Sequence, residues 1–214
     1  MGCKATLALL VAVVLFAAGA EFCSGADSFA AYQVTGTDPQ FWSMTRDFLK
    51  EKGYEVLYQQ GESDLERHLE KMSRINRSPA KFLLAMELAP GPNKSVLVAM
   101  TDRKEQGSGG VLQKDTPPFA PDASAGRRFF AIDDLQGKYS ADSGMLADSV
   151  ATSFQVKVKH VPLFPLLGAN MPGIFLRIEC KQDAMREMLG LLHSGIQNYL
   201  RRDISHERQR QGER

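Results

Sequence analysis

The chain has 214 residues, 43% of them hydrophobic and 24% charged, with 18 Gly and 10 Pro. That composition excludes a disordered, collagen-like or coiled-coil protein and fits one globular domain with extensions, large enough to fold without disulfide or metal staples. Lys plus Arg total 26 against 25 Asp plus Glu, a formal charge of +1, so no global field steers the chain toward nucleic acid or another polyanion.

Residues 1–20, MGCKATLALLVAVVLFAAGA, carry one cation, Lys4, then an apolar run, then Ala18-Gly19-Ala20. This is the layout of a secretory signal with an A-x-A cleavage site, and the run is too short for a membrane span. The expectation is a periplasmic or secreted protein with no stable membrane span once the signal is removed. Met1 to Thr6 also fits a loose myristoylation pattern, but a signal core follows it directly. Bulky Phe22 before Cys23 argues against a lipid anchor there. Cleavage takes away Lys4 and no acid, leaving the basic and acidic residues balanced at 25 each. It leaves Cys23 and Cys180, which either form one bridge in an oxidising compartment or stay as separate thiols.

After a short segment, 21–28, Phe29 to Val34 reads as a first strand ended by Thr35-Gly36-Thr37. Asp38 before Pro39 caps a helix whose inner face is Phe41, Trp42, Thr45, Phe48 and Leu49, with Gly53 as its stop. Those aromatics read as core rather than as a sugar-stacking platform. Tyr54 to Tyr58 is a second strand. Ser63-Asp64-Leu65-Glu66 has the form of a capping box, followed by a stripe of Leu65, Leu69, Met72 and Ile75. FLLAMEL at 82–88 has the apolar run of a strand covered on both faces, and SVLVAMT at 95–101 repeats it after Pro90-Gly91-Pro92-Asn93. Residues 102–126 have loop composition. Arg128 to Ile132 is a candidate strand, 141–154 a helix with Met145, Leu146, Val150 and Phe154 inward, and 155–161 an alternating edge strand. Ile174 to Glu179 is the last strand, and Asp183 caps a closing helix with a stripe from Met185 to Leu200, before a polar, frayed tail, 201–214.

Alternating strands and helices imply an α/β fold over 29–200: a three-layer sandwich with a mainly parallel, twisted sheet and helices on both faces. Ligand sites in such sheets lie at the carboxyl ends of the strands. The segments there are Val34 to Asp38, Met86 to Asn93, Thr101 onward and Arg177 to Asp183. Glu87 and Glu179 each end an apolar strand near the sheet centre. Facing one another, they would supply a general acid or hold a cation through oxygen; otherwise they point to solvent or pair with Arg177 or Arg128. His68, His160, His193 and His206 lack ligand spacing, and all four read first as surface or boundary residues, with His160 the best candidate for a role. The pairs Lys157 with Lys159 and Arg127 with Arg128 read first as solvated faces.

The C-terminal half, SGMLADSVATSF at 143–154, VKVKHVPLFPLLGANMPGIFLRIE at 156–179 and HSGIQNYL at 193–200, resembles the zinc-dependent N-acetylmuramoyl-L-alanine amidases of the bacterial cell envelope. The N-terminal half is similar in layout, with FLLAMEL standing where the family has Phe-Val-Ser-Ile-His-Ala-Asn. The resemblance implies an amidase-like fold and a peptidoglycan-related function, namely cleavage of the amide between muramic acid and the stem peptide. It also implies a zinc ion held by a His in a Gly-His-Gly-Gly turn after the first strand, a following Glu, and the His of the central strand, with a Glu at the end of the last strand. Here the first turn is Thr35-Gly36-Thr37, the central strand offers Met86 or Glu87, and Arg177 or Glu179 stands at the last position. Both histidine ligands are missing, so the family's zinc site is not expected. The reading is then a protein that binds peptidoglycan or an envelope protein partner in the cleft, through Thr35, Thr37, Arg177 and His160, with no cofactor. The alternative is a hydrolase with replaced ligands, drawing on Glu87, Glu179 and His160, and with zinc as its metal.

Overall fold

The computed structural model describes residues 27–101 and 136–212, with side chains to 202. The signal segment, Cys23, the loop 102–126 and the candidate strand at 128–132 lie outside the described residues. Six strands form one sheet in the order β2-β1-β3-β6-β4-β5, from β1 (Ser28–Gln33), β2 (Glu55–Gln60), β3 (Leu83–Pro90), β4 (Ser95–Met100), β5 (Val158–His160) and β6 (Gly173–Cys180). The helices are α1 (Pro39–Glu51), α2 (Leu65–Asn76), α3 (Ser140–Phe154) and α4 (Met185–Gly212).

β2, β1, β3 and β6 run parallel. β4 lies antiparallel to β6, and β5 is parallel to β4. Direction follows from connection length. Between β3 and β4 only residues 91–94 are available, too few for a crossover helix, so the chain must turn back on itself. It steps over the end of β6, where the Gly91 N–H donates to the Cys180 carbonyl, and β6 fills the gap. The sheet is therefore mixed, with its last two strands reversed.

Alternate residues of the central strands enter two cores, as the two-residue period requires. Leu84, Met86, Leu88, Ile174, Leu176 and Ile178 meet α1, α3 and α4 in the larger one. Phe29 there stacks on Phe82 with ring centroids 4.9 Å apart. Leu83, Ala85 and Phe175 meet Met72 and Ile75 of α2 and the irregular segment 161–172 in the smaller one. Asn76 anchors that segment through both amide atoms: its Nδ2 donates to the Gly168 carbonyl and its Oδ1 accepts from the Asn170 N–H.

Local chemistry accounts for the helix ends. The Asp38 carboxylate accepts from the Gln40 and Phe41 N–H groups, with Pro39 in the first turn, and the five expected inner residues of α1 are buried. For α2 the cap is Asp64, accepting from the Arg67 N–H, one residue later than the Ser63 capping box predicts. The face turned inward is His68, Met72 and Ile75, so Leu65 is 50% exposed and His68 is fully buried. Asp183 sits inside a 3-10 turn, Gln182–Ala184, that leads into α4, and does not cap it. The stripe from Met185 to Leu200 is buried as expected. The backbone beyond Arg201 stays helical to Gly212, where a frayed tail was expected: once the stripe anchors four turns, each further residue adds a hydrogen bond without a new nucleation cost. The edge strand β5 covers only three of the seven residues expected.

Candidate functional site

Continuing the smaller core's parity toward the carboxyl ends of β3 and β6 gives Glu87, Arg177 and Glu179. Glu87 and Arg177 are register partners, and Glu179 follows two residues on, so all three stand on one face. Arg177 Nε is 3.6 Å from Glu87 Oε1, and its Nη2 is 3.6 Å from Glu179 Oε2. The guanidinium thus separates the two carboxylates, replacing the direct contact that a shared-proton pair needs. Its side chain is 46% exposed, which leaves N–H groups open to an incoming anion while the flanking carboxylates remain open to a cation. Gly91 lets Glu179 take this position, because a Cβ there would overlap the Glu179 side chain.

β1 ends beside the cluster. Its last registered pair joins Gln33 to Met86, and the Val34 N–H donates to the Met86 carbonyl, which sets Val34 one position on, next to Glu87. Val34 also lines a cleft of about 290 Å³ with Tyr32, Thr35, Glu62, Ser63, Phe164 and Pro165. Its outer wall is Phe164, 42% exposed, whose ring leans on His68 at 4.5 Å between centroids. A hydrogen-bonded chain forms the floor. The Glu62 N–H donates to the Tyr32 hydroxyl at 3.0 Å. The hydroxyl contacts His68 Nδ1 at 2.8 Å, and His68 Nε2 contacts the Leu167 carbonyl at 2.9 Å. A carbonyl only accepts, so Nε2 carries the proton, Nδ1 accepts, and Tyr32 donates. Burial holds this imidazole below its ordinary pKa and pushes the Tyr32 phenol up. At the rim, a hydrogen bond from Lys71 holds the Glu62 carboxyl below the usual carboxylate range.

The candidate residues part company here. Thr35 is exposed at the cleft. Thr37 is buried, donating to the Met86 carbonyl and accepting from the Leu88 N–H, so its hydroxyl splints β1 to β3 and is not turned outward to a ligand. His160 stands at the opposite end of the sheet from Arg177, beside Met100, because β4 runs antiparallel to β6 and carries β5 with it. His68, read from sequence as a surface or boundary residue, is a fully buried member of the floor. His193 is half-buried, with its Nδ1 against the Tyr54 hydroxyl at 2.8 Å. Cys180 is a buried free thiol. The floor and the wall at Phe164 and Pro165 were missed by sequence reasoning. The available signal was the apolar, proline-interrupted stretch VPLFPLL, too irregular to be a buried strand and too apolar for an ordinary loop.

No protein-family model matches this chain, and no curated protein sequence matches it. Among solved structures, the chain is similar to the N-acetylmuramoyl-L-alanine amidase AmiC2 of Nostoc punctiforme, at 12% identity and a TM-score of 0.44, over 83% of this chain and 99% of that one. It is also similar to the catalytic domain of the CD27L endolysin targeting Clostridia difficile, at 12% identity and a TM-score of 0.46, over 80% and 97% of the two chains.

The residues at the carboxyl ends do not fit the zinc site that the resemblance implies. Three protein ligands would have to converge and leave a position open for water. The first turn offers hydroxyls and a glycine, the central strand a thioether and a carboxylate that faces Arg177. A guanidinium in that space repels a dication. The imidazoles of His68 and His193 are engaged by tyrosine hydroxyls, and among the described residues no three His, Cys, Asp or Glu side chains converge.

Proposed function

We propose that this chain is an exported cell-envelope protein that binds peptidoglycan at the carboxyl ends of β1, β3 and β6 and does not hydrolyse it through zinc. The observation that carries the reading is Arg177, held between Glu87 and Glu179 where the resemblance would place a metal and its base. Stem peptides present amines, carboxylates and short alkyl side chains. The carboxylates have a partner in Arg177, the amines have partners in Glu87 and Glu179, and the apolar cleft from Val34 to Phe164 offers cover for alkyl groups.

Retention of the purified chain on isolated sacculi tests this. Arg177→Ala should lower the apparent affinity about tenfold, the value of one charge-assisted hydrogen bond, with thermal unfolding unchanged, whereas deletion of 203–214 should leave retention intact. No retention, or retention indifferent to Arg177, overturns the binding reading, and release of stem peptides from the sacculi overturns its non-hydrolytic part.

A further inference from the structure

The two edges of the sheet are built differently. β5 is three residues long, and Lys157 and Lys159 flank and interrupt it, the usual means of keeping a sheet edge from pairing. β2 is six residues long, EVLYQQ, with no Pro, no Lys and no bulge. Among the described residues it pairs with β1 on one side only. The Gly61 and Glu55 N–H groups point inward, to Gln33 and Asp27, so by alternation the N–H and C=O groups of Val56 and Tyr58 point outward. Among the described residues these outward groups of Val56 and Tyr58 meet no partner. Lys71 covers only the Gln60 carbonyl, at the strand's far end.

We propose that β2 pairs antiparallel with β2 of a second copy, giving a two-fold dimer with one continuous sheet. The sequence of the strand matches itself in one register. A two-fold axis through the sheet keeps each face on its own side, so a residue can oppose only one of like parity. With Leu57 opposite Leu57 of the second copy, Val56 falls opposite Tyr58 and Glu55 opposite Gln59. Val56 and Tyr58 then become the hydrogen-bonded pairs, exchanging the outward groups left over, and form aromatic to β-branched contacts on the α1 face. Glu55 gains an amide donor and never meets the other Glu55. Tyr58 is already held for this, edge-on to Trp42 and under the Arg46 guanidinium. Moving the axis to Tyr58 would set Leu57 against Gln59 and Glu55 against Gly61, losing both matches.

Sedimentation equilibrium of the full chain over a concentration series should show a monomer to dimer equilibrium. Val56→Pro removes the outward donor while sparing every bond to β1, and should raise the dimer dissociation constant at least about tenfold, from the two hydrogen bonds lost per dimer. Register is read by cross-linking in a chain with Cys3 and Cys23 changed to Ser. Leu57→Cys brings two thiols together across a non-hydrogen-bonded pair, where Cα atoms lie about 4.5 Å apart, and should form a covalent dimer on mild oxidation, whereas Gln59→Cys should not. A monomer at every concentration, a dimer indifferent to Val56→Pro, or cross-linking at 59 in preference to 57 overturns the proposal. Should a variant fail to fold, amide exchange of the unsubstituted chain decides: Val56 and Tyr58 become protected as concentration rises, and unchanged exchange overturns the pairing.

Discussion

The Tyr32 hydroxyl has two bonds and no spare partner. It receives the Glu62 N–H, part-buried at the cleft, and donates to His68, which is fully buried in the smaller core. Tyr32→Phe keeps the ring and removes both bonds, and it leaves the buried His68 acceptor unpaired. We expect a loss of about 1–3 kcal/mol in unfolding free energy by urea titration. Tyr54→Phe deletes the parallel arrangement with His193 and Gln197, and should cost less because His193 is only half-buried and water can replace the hydroxyl. Equal losses at the two sites would show that burial does not set the difference.

At the scale of elements, the crossing of α3 and α4 turns on one missing side chain. A Cβ on Gly195 would lie 2.7 Å from Val150 Cα and 3.2 Å from the Ser149 carbonyl. Backbone atoms cannot swing aside, so the helices would have to part. Two effects oppose one another in Gly195→Ala: helix propensity favours alanine by about 1 kcal/mol, and overpacking costs about 1–3 kcal/mol. The contact falls on backbone, so overpacking should win and Tm should fall. Gly190, in the same helix, has nothing within 4 Å of its Cβ position, and Gly190→Ala should raise Tm. A rise for both would mean that the helices do not approach as closely as described.

For the whole molecule, two imidazoles link folding to pH. Burial lowers the pKa of both His68 and His193, with Lys52 adding to the effect at His193. A group whose folded pKa is depressed takes up its proton in the unfolded chain first. For a histidine this makes stability complete above its ordinary value near 6.5 and reduces it as pH falls through that value toward the lowered folded one. The dependence contributed by His68 is at most about 1.4 kcal/mol per pH unit. His68→Gln should flatten the fall in the urea midpoint between neutral and mildly acidic pH, and a variant that kept the full slope would assign it to another group. Pairing through β2 would place two Arg177 clusters on one sheet. Against a polymer with repeated stem peptides, such a pair would bind with an avidity that neither copy has alone.

The period of hydrophobic residues and the chemistry of caps and turns are local, so they were legible along the chain. Asp38 with Pro39, the stripe from Met185 to Leu200 and the apolar run of β3 each act within a few residues of themselves, and each element formed where its own residues require. The α/β layering followed from their alternation. Even the reversal of β4 was written in the four residues after Pro90, had their shortness been weighed against the pull of a repeating pattern. The burial of His68 was not legible, because it depends on Tyr32 and Leu167, which lie 36 and 99 residues away. Nor was the gathering of Glu87 and Glu179 around Arg177, or the removal of His160 to the far end of the sheet. Those outcomes rest on strand order and direction, which arise from the burial of whole faces against one another and leave no trace in the spacing of any single segment.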